Sequence, residues 1–286
     1  MEKIDSSNED SLKLIQSIQL DMLIKFHLFC ESNNLSYYLT GGTLLGSIRH
    51  EGFIPWDDDI DIGMPRKDYD KMTQLLSSSP FEDMFLQNLD SDIYFGLPIS
   101  KLRKKDTFFP EEVNKGIQAH QGIFIDIFPW DFVPQNKLKM IVQKLSLKPL
   151  KRLLLVKMKY KVKKSHNPLK IFPNLLLRIL SLTINRNAII YALNTIITVG
   201  NKNPSEYMIC TGGVYTYDQE KIKCEWIHNE KKSKFEEHFF PIIGNSSEYL
   251  TQIYGEYMKI PKKHQRKRHI SQEENLIVSQ DNQELR

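Results

Sequence analysis

The amino-acid sequence predicts an α+β fold with an added block of basic helices. Three observations lead to this class. Short apolar segments typical of strands alternate with helical patterns over the first half of the chain. A stretch rich in lysine and leucine, from about 135 to 199, has helical character, and strand-like segments return after it. With 286 residues, 41% of them hydrophobic, the chain can bury the core of one large domain or of two modest ones.

The first predicted elements are a helix, a strand and a second helix. Apolar residues recur at intervals of three and four between Leu12 and Phe29, which predicts an amphipathic helix that stops at Asn33 and Asn34. The segment LSYYLTGG, residues 35–42, is typical of a short strand that ends in a glycine turn. TLLGSIRHEG, residues 43–52, continues as a short helix.

A second strand is predicted in DDIDIGM, residues 58–64. Side chains two positions apart on a strand share a face and lie about 7 Å apart along the backbone. Asp59 and Asp61 would therefore project together, while Ile60 and Ile62 point to the opposite side. The pattern predicts a pair of carboxylates with a hydrophobic backing.

The later elements carry further charged residues. A helix is expected at 66–76, and YFGLPISKLRKKDTFF predicts a strand with Lys101 and Arg103 on one face. QGIFIDIFPWDFVP predicts another strand, in which Asp126 stands alone in an apolar run. Because an unpaired buried carboxylate is costly, Asp126 is a candidate for function. SSEYLTQIYGEYMKIP is a final helix that ends before Pro261.

We expect four parts along the chain. The helices between 135 and 199 are predicted to break at Pro149, Pro168 and Pro173. The polar tail after the last helix is predicted to be disordered. The parts are a core domain at 1–131, a basic helical insertion at 132–205, the C-terminal part of the same core domain at 206–264, and the tail at 265–286.

Four carboxylates occupy five consecutive positions, at Asp57, Asp58, Asp59 and Asp61. Two like charges about 4 Å apart repel by roughly 4 kcal/mol at an effective dielectric of 20, so water or a cation must offset them. The cluster can be a solvated acidic loop, a calcium loop or a magnesium site. It lacks the ligand spacing of an EF-hand, and the interleaved apolar residues do not suit an exposed loop. Metal binding is the favoured interpretation.

The glycine turn TGGTLLGS, residues 40–47, matches neither a dinucleotide-binding pattern nor a P-loop. A strand that breaks at Gly41 and Gly42 and opens a helix can still present backbone N–H groups to a phosphate. Magnesium usually lies between carboxylates and a substrate phosphate, so this turn and the acidic strand together indicate phosphoryl or nucleotidyl transfer. Arg49, Lys101 and Arg103 could neutralise substrate phosphates or could be solvated surface residues.

Charge is unevenly distributed along the chain. Between Phe132 and Ser205 there are fifteen Lys and Arg and no Asp or Glu, whereas the rest of the chain has 24 basic and 35 acidic residues. The run LKRLLLVKMKYKVKK, residues 150–164, is typical of an interfacial helix that anionic lipid attracts. RNA binding is less favoured because aromatic residues are not regularly interleaved, and an ordinary solvated bundle is a third interpretation.

Four blocks of the sequence resemble the LicD family, whose namesakes are bacterial phosphocholine transferases and whose relatives include fukutin-type ribitol-phosphate transferases. The blocks occur in the family's order between Leu35 and Pro261. The basic helical block is the least similar part, and the cysteine-based zinc site of some animal relatives has no counterpart. The blocks are YYLTGGTLLGSIRHEGFIPWDDDIDIGMPRKDYDKM, LPISKLRKKDT, GIFIDIFPWD and YLTQIYGEYMKIP.

The resemblance implies a nucleotidyltransferase-like fold of the polymerase-β type, with a small mixed sheet flanked by helices. It also implies a three-carboxylate site for Mg²⁺ or Mn²⁺. The implied metal ligands are Asp59, Asp61 and Asp126, which are also the implied catalytic residues, with Asp57 as an additional acidic partner. The implied substrate-binding residues are Gly41, Gly42 and Thr43 in the phosphate-side turn, Arg49 after it, and Lys101 and Arg103 on the basic strand.

The activity that the resemblance implies is metal-dependent transfer of a substituted phosphate from a CDP-activated alcohol to a sugar hydroxyl, with release of CMP. CDP-choline is the favoured donor, and glycerol phosphate or ribitol phosphate is the alternative cargo. Asp126 is the candidate that orients or deprotonates the hydroxyl. The aromatic residues available for a cage around a trimethylammonium group are Trp56, Tyr94, Trp130 and Trp226.

Two other classes of function stay open. The chain could be an inactive relative that binds a lipid surface or a glycan-assembly complex, or it could add nucleotides to RNA. The expected partners are the CDP-alcohol, a glycan or lipid-linked oligosaccharide acceptor of a cell-surface or capsular polysaccharide, and an anionic membrane surface, whereas nucleic acid is not expected. Three cysteines without a CxxC pair, no secretory signal and no membrane-spanning window predict a cytoplasmic protein, peripheral on the inner face of the cell membrane.

Overall fold

The computed structural model describes residues 2–4, 9–109, 111–161, 171–266, 268–270 and 276–278. Its helices within these ranges are α1 (Glu9–Asn33), α2 (Gly41–His50), α3 (Arg66–Ser78), α4 (Lys137–Lys157), α5 (Ile171–Thr183), α6 (Arg186–Ile197), α7 (Tyr217–Glu220), α8 (Cys224–His228) and α9 (Ser246–Tyr254). Its strands are β1 (Glu2–Ile4), β2 (Tyr38–Leu39), β3 (Asp61–Pro65), β4 (Met84–Gln87), β5 (Ser100–Lys104), β6 (Thr107–Phe108), β7 (Phe124–Phe132), β8 (Tyr207–Cys210), β9 (Lys221–Lys223), β10 (Lys231–Phe235), β11 (His238–Ile242) and β12 (Leu276–Val278).

Nine of the described strands form one mixed sheet. Its path is β10–β11–β2–β3–β7–β5–β4, and β8 and β9 continue from the end of β7. β3 runs parallel to β7, whereas β5 pairs with the other edge of β7 in the antiparallel sense. The long strand β7 pairs with β5 near its start and with β8 over its last three residues. This arrangement confirms the predicted α+β class with a mixed sheet flanked by helices.

Helix α1 packs its apolar face onto the sheet. Its buried residues include Leu12, Ile15, Ile18, Met22 and Phe26, as the spacing of three and four predicted. All of these except Leu12 belong to the same core as the buried residues of β3 and β7. Full burial of such a side chain contributes about 1.5–3 kcal/mol, so this face fixes the helix against the strands that carry the acidic residues.

The acidic segment departs from the predicted strand, because β3 begins at Asp61 and not at residue 58. The residues before it are held by a side chain of α1 and by a backbone hydrogen bond from β7. Gln19 Nε2 donates to the backbone carbonyl of Asp58 at 2.9 Å, and the backbone N–H of Asp126 donates to the carbonyl of Ile60 at 2.7 Å. The prediction that the strand includes Asp59 is therefore wrong, since Asp59 lies in the loop before β3.

Helices α4, α5 and α6 lie within the predicted insertion and share a second apolar cluster, which includes Phe95, Leu147, Leu154 and Leu193. The predicted break at Pro149 is wrong, since α4 continues through it. Pro149 is exposed, so water can reach the carbonyl that loses its hydrogen bond.

Two other proline predictions have different outcomes. Pro173 lies in the first turn of α5, where a missing N–H costs little, so it does not break the helix either. Pro168 lies outside the described residues. No helix of the described ranges combines the length and the hydropathy that crossing a bilayer requires.

The prediction of a disordered tail is wrong for the part of 265–286 that the structure describes. β12 pairs with β1 and β6 in a three-stranded sheet, and Ile270 forms a bridge with Glu111. Leu276 and Val278 are buried, so an apolar triplet inside a polar sequence is sufficient to anchor this segment. The predicted boundaries after residues 131, 205 and 264 stay predictions.

Candidate active site

Three adjacent strands place charged residues in one row across the main sheet. Asp61 on β3 is the register partner of Asp126 on β7, and Asp126 is the register partner of Lys101 on β5. Residues in register on neighbouring strands lie on the same face of a sheet. The fold therefore brings together three of the residues that the sequence singled out, although they are far apart along the chain.

The acidic loop before β3 adds Asp57 and Asp59 to this row. Burial and the charge of Asp59 raise the pKa of Asp61 and of Asp57 well above the usual range for aspartate. Burial also raises the pKa of Asp59 to about 6, although His269 opposes the rise. The charges of these carboxylates are thus only partly offset by the described protein groups.

The glycine turn gives the acidic residues room. A side-chain carbon at Gly41 would lie 2.5 Å from Asp61 Oδ2, and one at Gly42 would lie 2.8 Å from Asp57 Oδ2. Gly41 also has a φ of +55°, a conformation that other residues rarely adopt. Thr43 Oγ1 accepts a hydrogen bond from the Asp61 backbone N–H at 2.8 Å. The N-terminus of α2 therefore lies directly against the carboxylates and partly offsets their charge.

Helix α9 closes this end of the site. Its Tyr249 hydroxyl lies 2.5 Å from Thr40 Oγ1 and accepts from the Gly41 N–H at 3.3 Å. Tyr254 packs edge to face against Tyr215, with ring centroids 5.8 Å apart. Burial raises the pKa of both Tyr215 and Tyr254, and the charge of Asp61 adds to the rise. These two rings border the acidic cluster, and the sequence analysis did not single them out.

Lys101 connects the acidic cluster to a second buried acid. Its Nζ lies 3.0 Å from Asp126 Oδ1 and 3.1 Å from Glu111 Oε1, and it sits over the Phe124 ring. Burial raises the pKa of Asp126, although Lys101 opposes the rise. Among the described residues no donor meets Asp126 Oδ1 with hydrogen-bond geometry. This oxygen can accept a ligand or a proton.

Arg103 does not face the acidic cluster. It is fully buried and donates to Gln87 Oε1, to the Gly122 carbonyl and to Glu111 Oε2, at 2.8, 2.8 and 2.7 Å. Neither a phosphate contact nor a solvated surface position suits a guanidinium that the protein encloses in this way. Arg103 and Lys101 instead hold the pKa of Glu111 at about 2, against the effect of burial.

Arg49 lies in the last turn of α2 and has protein partners. Its Nη1 donates to the backbone carbonyl of Tyr257 at 2.6 Å, which fastens the turn after α9. Burial lowers the pKa of Arg49, and the nearby charge of Asp57 partly opposes that. Arg49 is thus close to the cluster, but its guanidinium already donates to a backbone carbonyl of the protein.

Asp58 has a different role from its neighbours. Its carboxylate is fully buried and accepts the backbone N–H groups of His269 and Ile270 at 2.8 Å. His269 Nδ1 then lies 3.2 Å from Asp59 Oδ2. The charges of Asp59 and Asp58 outweigh burial and raise the pKa of His269 to about 10. Asp58 therefore fastens the C-terminal segment to the site, a role that the sequence did not reveal.

Two sets of ligand atoms could hold a metal. Atoms of Asp58, Asp59 and His269 lie within 4.8 Å of one another, but backbone N–H groups already occupy the Asp58 oxygens. The other set offers only oxygen ligands, which Mg²⁺ and Mn²⁺ prefer, and its Asp126 carboxylate is ion-paired with Lys101. The oxygen set is Asp57, Asp59, Asp61 and Asp126, but among the described residues only Asp58, Asp59 and His269 bring ligand atoms within 4.8 Å of one another.

The aromatic residues that the sequence made available for a cage are not assembled around one site. Trp130 and Trp226 belong to the hydrophobic core, and Tyr94 lies in the loop between β4 and β5. Trp56 lies beside the acidic loop, but its ring is covered by the Arg266 guanidinium at 4.0 Å. Aromatic contact at the acidic cluster comes from other residues.

A cavity of about 680 Å³ has Tyr215 in its wall, although no carboxylate of the acidic cluster lines it. Lys151 Nζ lies in it and donates to the carbonyls of Thr211 and Gly213 at 2.8 and 2.9 Å. Thr211 Oγ1 is buried and has no hydrogen-bond partner among the described residues, and burial raises the pKa of Glu220 to about 7. A second cavity, of about 610 Å³ between α3 and α6, contains no residue of the acidic cluster.

Comparison with known proteins adds a family to this geometry. Residues 34–162 match the family model described as LicD/FKTN/FKRP, nucleotidyltransferase domain, a range that contains every predicted site residue. The chain is 28% identical to the lipopolysaccharide cholinephosphotransferase LicD of Haemophilus influenzae over 277 residues, which cover 93% of this chain and 98% of that protein. It is 34% identical to an uncharacterised protein of Rickettsia typhi over 125 residues, covering 43% and 38%. It is also 44% identical to the ribitol 5-phosphate transferase FKRP of Mus musculus over 45 residues, covering 16% and 9%.

Proposed function

The chain belongs to the LicD family, and on that premise we propose that it transfers phosphocholine from CDP-choline to a sugar hydroxyl of a cell-surface glycan precursor, with release of CMP. The observation that carries this proposal is the cluster of buried and half-buried carboxylates against the N-terminus of α2, with the Lys101 ammonium beside Asp126. Full-length similarity to a lipopolysaccharide cholinephosphotransferase supports the choice of cargo and acceptor class.

Asp57, Asp59, Asp61 and Asp126 would hold Mg²⁺ or Mn²⁺. When bound, the ion would neutralise negative charge on the donor phosphates. The crowding that raises the pKa of these carboxylates in the metal-free protein is the reason why they suit a divalent cation.

The chain's own groups would position the two substrates. Backbone N–H groups at Gly42 and Thr43, in the first turn of α2, are placed to donate to a donor phosphate oxygen. Lys101 would stabilise charge on the transferred group. The acceptor oxygen forms the new bond to phosphorus, the bond from phosphorus to CMP breaks, and CMP leaves with the electron pair. Asp126 would orient the acceptor hydroxyl or take its proton.

Two neighbouring features suit the substrates. The Tyr215 and Tyr254 rings beside Asp61 offer aromatic faces to a trimethylammonium group. The cavity with Tyr215 in its wall offers the Thr211 hydroxyl and the Glu220 carboxylate to a polyhydroxylated acceptor. Glycerol phosphate and ribitol phosphate carry no such cation, so the two rings favour choline.

Donor cleavage tests the proposed reaction. The purified protein is incubated with CDP-choline and Mg²⁺, and CMP is measured by chromatography with and without EDTA. We expect CMP release that requires the metal and is lost in Asp59→Asn. Asp90→Asn, in an exposed loop, is the matched control and should keep full activity. Release that continues undiminished in Asp59→Asn would contradict the proposal.

Donor choice tests the cargo. CDP-choline, CDP-ribitol and CDP-glycerol are compared in the same assay, together with Tyr254→Leu. We expect CDP-choline to be preferred, and the substitution to raise the KM for CDP-choline more than the KM for CDP-glycerol. Use of CDP-ribitol or CDP-glycerol alone would assign the alternative cargo. No cleavage of any donor would instead favour an inactive binding protein.

A further inference from the structure

Helix α4 carries apolar residues on two opposite faces. Its inner face, which includes Leu147 and Leu154, is buried in the second apolar cluster. Its outer face exposes a set that we call the outer stripe. The outer stripe consists of Leu138, Ile141, Val142 and Leu145, which are 70%, 49%, 45% and 69% exposed.

The outer stripe follows the helical repeat. Its members are spaced by three, four and seven positions from Leu138, so they form one continuous strip along two turns of the helix. Folding of the described chain does not require apolar residues there, because they face away from both apolar neighbours, α5 and α6. Contiguous exposed apolar surface of this kind marks an interaction site.

The charges around the outer stripe are all positive on its own helix. Lys137, Lys144 and Lys148 flank it along one edge by the same helical repeat, and α4 contains no acidic residue. Lys144 pairs with Asp218, whereas the ammonium groups of Lys137 and Lys148 have no partner among the described residues. An apolar strip bordered by lysines is the pattern of a helix that lies in a bilayer interface. We infer that the outer stripe of α4 docks on an anionic lipid bilayer.

This surface differs from the one that the sequence predicted. In the run 150–164, Leu153, Leu154 and Tyr160 are buried, and Lys157 donates to the carbonyl of Ser181 at 2.8 Å. Most of the described apolar residues of that run therefore face the protein. Lys163 and Lys164, which belong to the same prediction, lie outside the described residues. The inferred docking face lies nearer the start of α4, at the outer stripe.

Docking through the outer stripe would also orient the candidate active site. Lys144 and Lys148 line the cavity that Tyr215 borders, so the same lysines would lie between the bilayer surface and that cavity. A lipid-linked acceptor could then reach the cavity from the bilayer. This consequence rests on the proposed function, whereas the docking itself does not.

Vesicle binding tests the inference. The full-length protein is sedimented with phosphatidylcholine vesicles that contain or lack phosphatidylglycerol, at low salt. We expect binding only with phosphatidylglycerol, weakened about tenfold or more in Leu138→Ser with Leu145→Ser. The double variant Lys137→Gln with Lys148→Gln should bind these vesicles more weakly, by about fivefold for each lysine removed. A higher salt concentration should also weaken the binding. Phe239→Ser, 61% exposed on β11, is the matched apolar control and should bind as wild type does.

Three results would overturn the inference. They are unchanged vesicle binding by the double leucine variant, no binding of the wild-type protein to anionic vesicles, and self-association in sedimentation velocity that the double leucine variant abolishes. The last would assign the outer stripe to a second copy of the chain. CMP release without vesicles should be the same in the double leucine variant as in wild type. Failure of docking is thereby separated from failure of the proposed function.

Discussion

Two buried acidic sites lie side by side in this protein, and their charges respond to burial in opposite ways. Glu111 is enclosed with Lys101 and Arg103, and these cations hold its pKa at about 2 although burial acts in the other direction. Asp61 is half-buried, and burial and the charge of Asp59 raise its pKa. The difference shows that burial alone does not determine the charge state, and that the balance of neighbouring charges does.

We call the group around Glu111 the balanced site and the acidic cluster the unbalanced site. The two sites share one cation. Lys101 contacts both Glu111 and Asp126, so its charge is divided between them. Of these two acids, Arg103 contacts Glu111 and not Asp126. His269 offers the acidic loop one further positive charge, at 3.2 Å from Asp59. The charges of the balanced site are therefore offset within the fold, whereas the acidic cluster has more carboxylates than cations among the described residues.

The largest expected effect is loss of activity in Asp61→Asn. We expect CMP release to fall at least about a thousandfold, because the substitution would remove one of the proposed metal ligands. The free energy of unfolding in EDTA should be unchanged or higher, since the substitution relieves like-charge repulsion and keeps the backbone bond to Thr43. Both quantities are measured on the same preparation, by chromatography and by urea denaturation. A large loss of stability would show that the cluster is already balanced.

Glu111→Gln should give the opposite result for stability. Removing this charge leaves Lys101 and Arg103 buried without their partner, which costs about 3–5 kcal/mol. Urea denaturation measures the loss, and Glu112→Gln, which removes the charge from an exposed pair with Lys161, should change stability by less than about 1 kcal/mol.

The same site predicts a pH dependence. The pKa of Glu111 is lowered in the folded state, so its contribution is present above the unfolded value of about 4.3 and is lost as pH falls toward about 2. Wild-type stability should fall more steeply over this window than that of Glu111→Gln. Parallel curves would mean that Glu111 is not held ionised by its neighbours.

The sequence was informative where residues lie close along the chain or on strands with a clear apolar pattern. Asp61, Asp126 and Lys101 were all singled out before the register of β3, β7 and β5 placed them in one row. Their assignment as metal and substrate ligands stays a prediction. The α+β class followed from the same patterns and is confirmed by the mixed sheet.

The sequence could not predict which side chains meet when the residues lie far apart along the chain or follow no local pattern. Asp58 and Asp59 are adjacent and identical in type, and only the C-terminal segment decides that Asp58 is a structural acceptor. Glu111 comes after the strand that carries Lys101 and has no local pattern, so the enclosure of Arg103 was not visible either. His269 lies in a polar tail whose order depends on contacts with residues far away in sequence.

The next largest expected effect is the gain in stability when Mg²⁺ is added. This gain should depend on the unbalanced site only. At a Mg²⁺ concentration one hundred times the dissociation constant, wild-type stability should rise by about 2.7 kcal/mol. The gain should be absent in Asp59→Asn and retained in Glu112→Gln. Protons compete for carboxylates whose pKa is raised, so the gain should be smaller below the Asp59 pKa of about 6 than above it. Thermal unfolding with and without the metal measures both. An equal gain in Asp59→Asn would move the metal elsewhere.

The smallest expected effect concerns Arg266, a cation of the C-terminal segment that neither site uses. Its guanidinium lies over Trp56 at 4.0 Å and donates through Nε to the Pro261 carbonyl, while its Nη atoms have no hydrogen-bond partner among the described residues. A free guanidinium edge beside the acidic loop is placed to contact a donor phosphate. Arg266→Gln should therefore raise the KM for CDP-choline about tenfold and leave kcat nearly unchanged.

The control for Arg266 is Arg268→Gln, on the same segment, which should leave the KM for CDP-choline within about twofold of wild type. Unfolding free energies of both variants should match wild type, because the Asp58 contacts with His269 and Ile270 that hold the segment are kept. A fall in kcat without a change in KM would place Arg266 outside the donor site. Among the described residues of the C-terminal segment, only His269 would then place a positive charge beside the acidic cluster. The proposed metal ion would have to supply nearly all of the remaining charge that offsets the carboxylates.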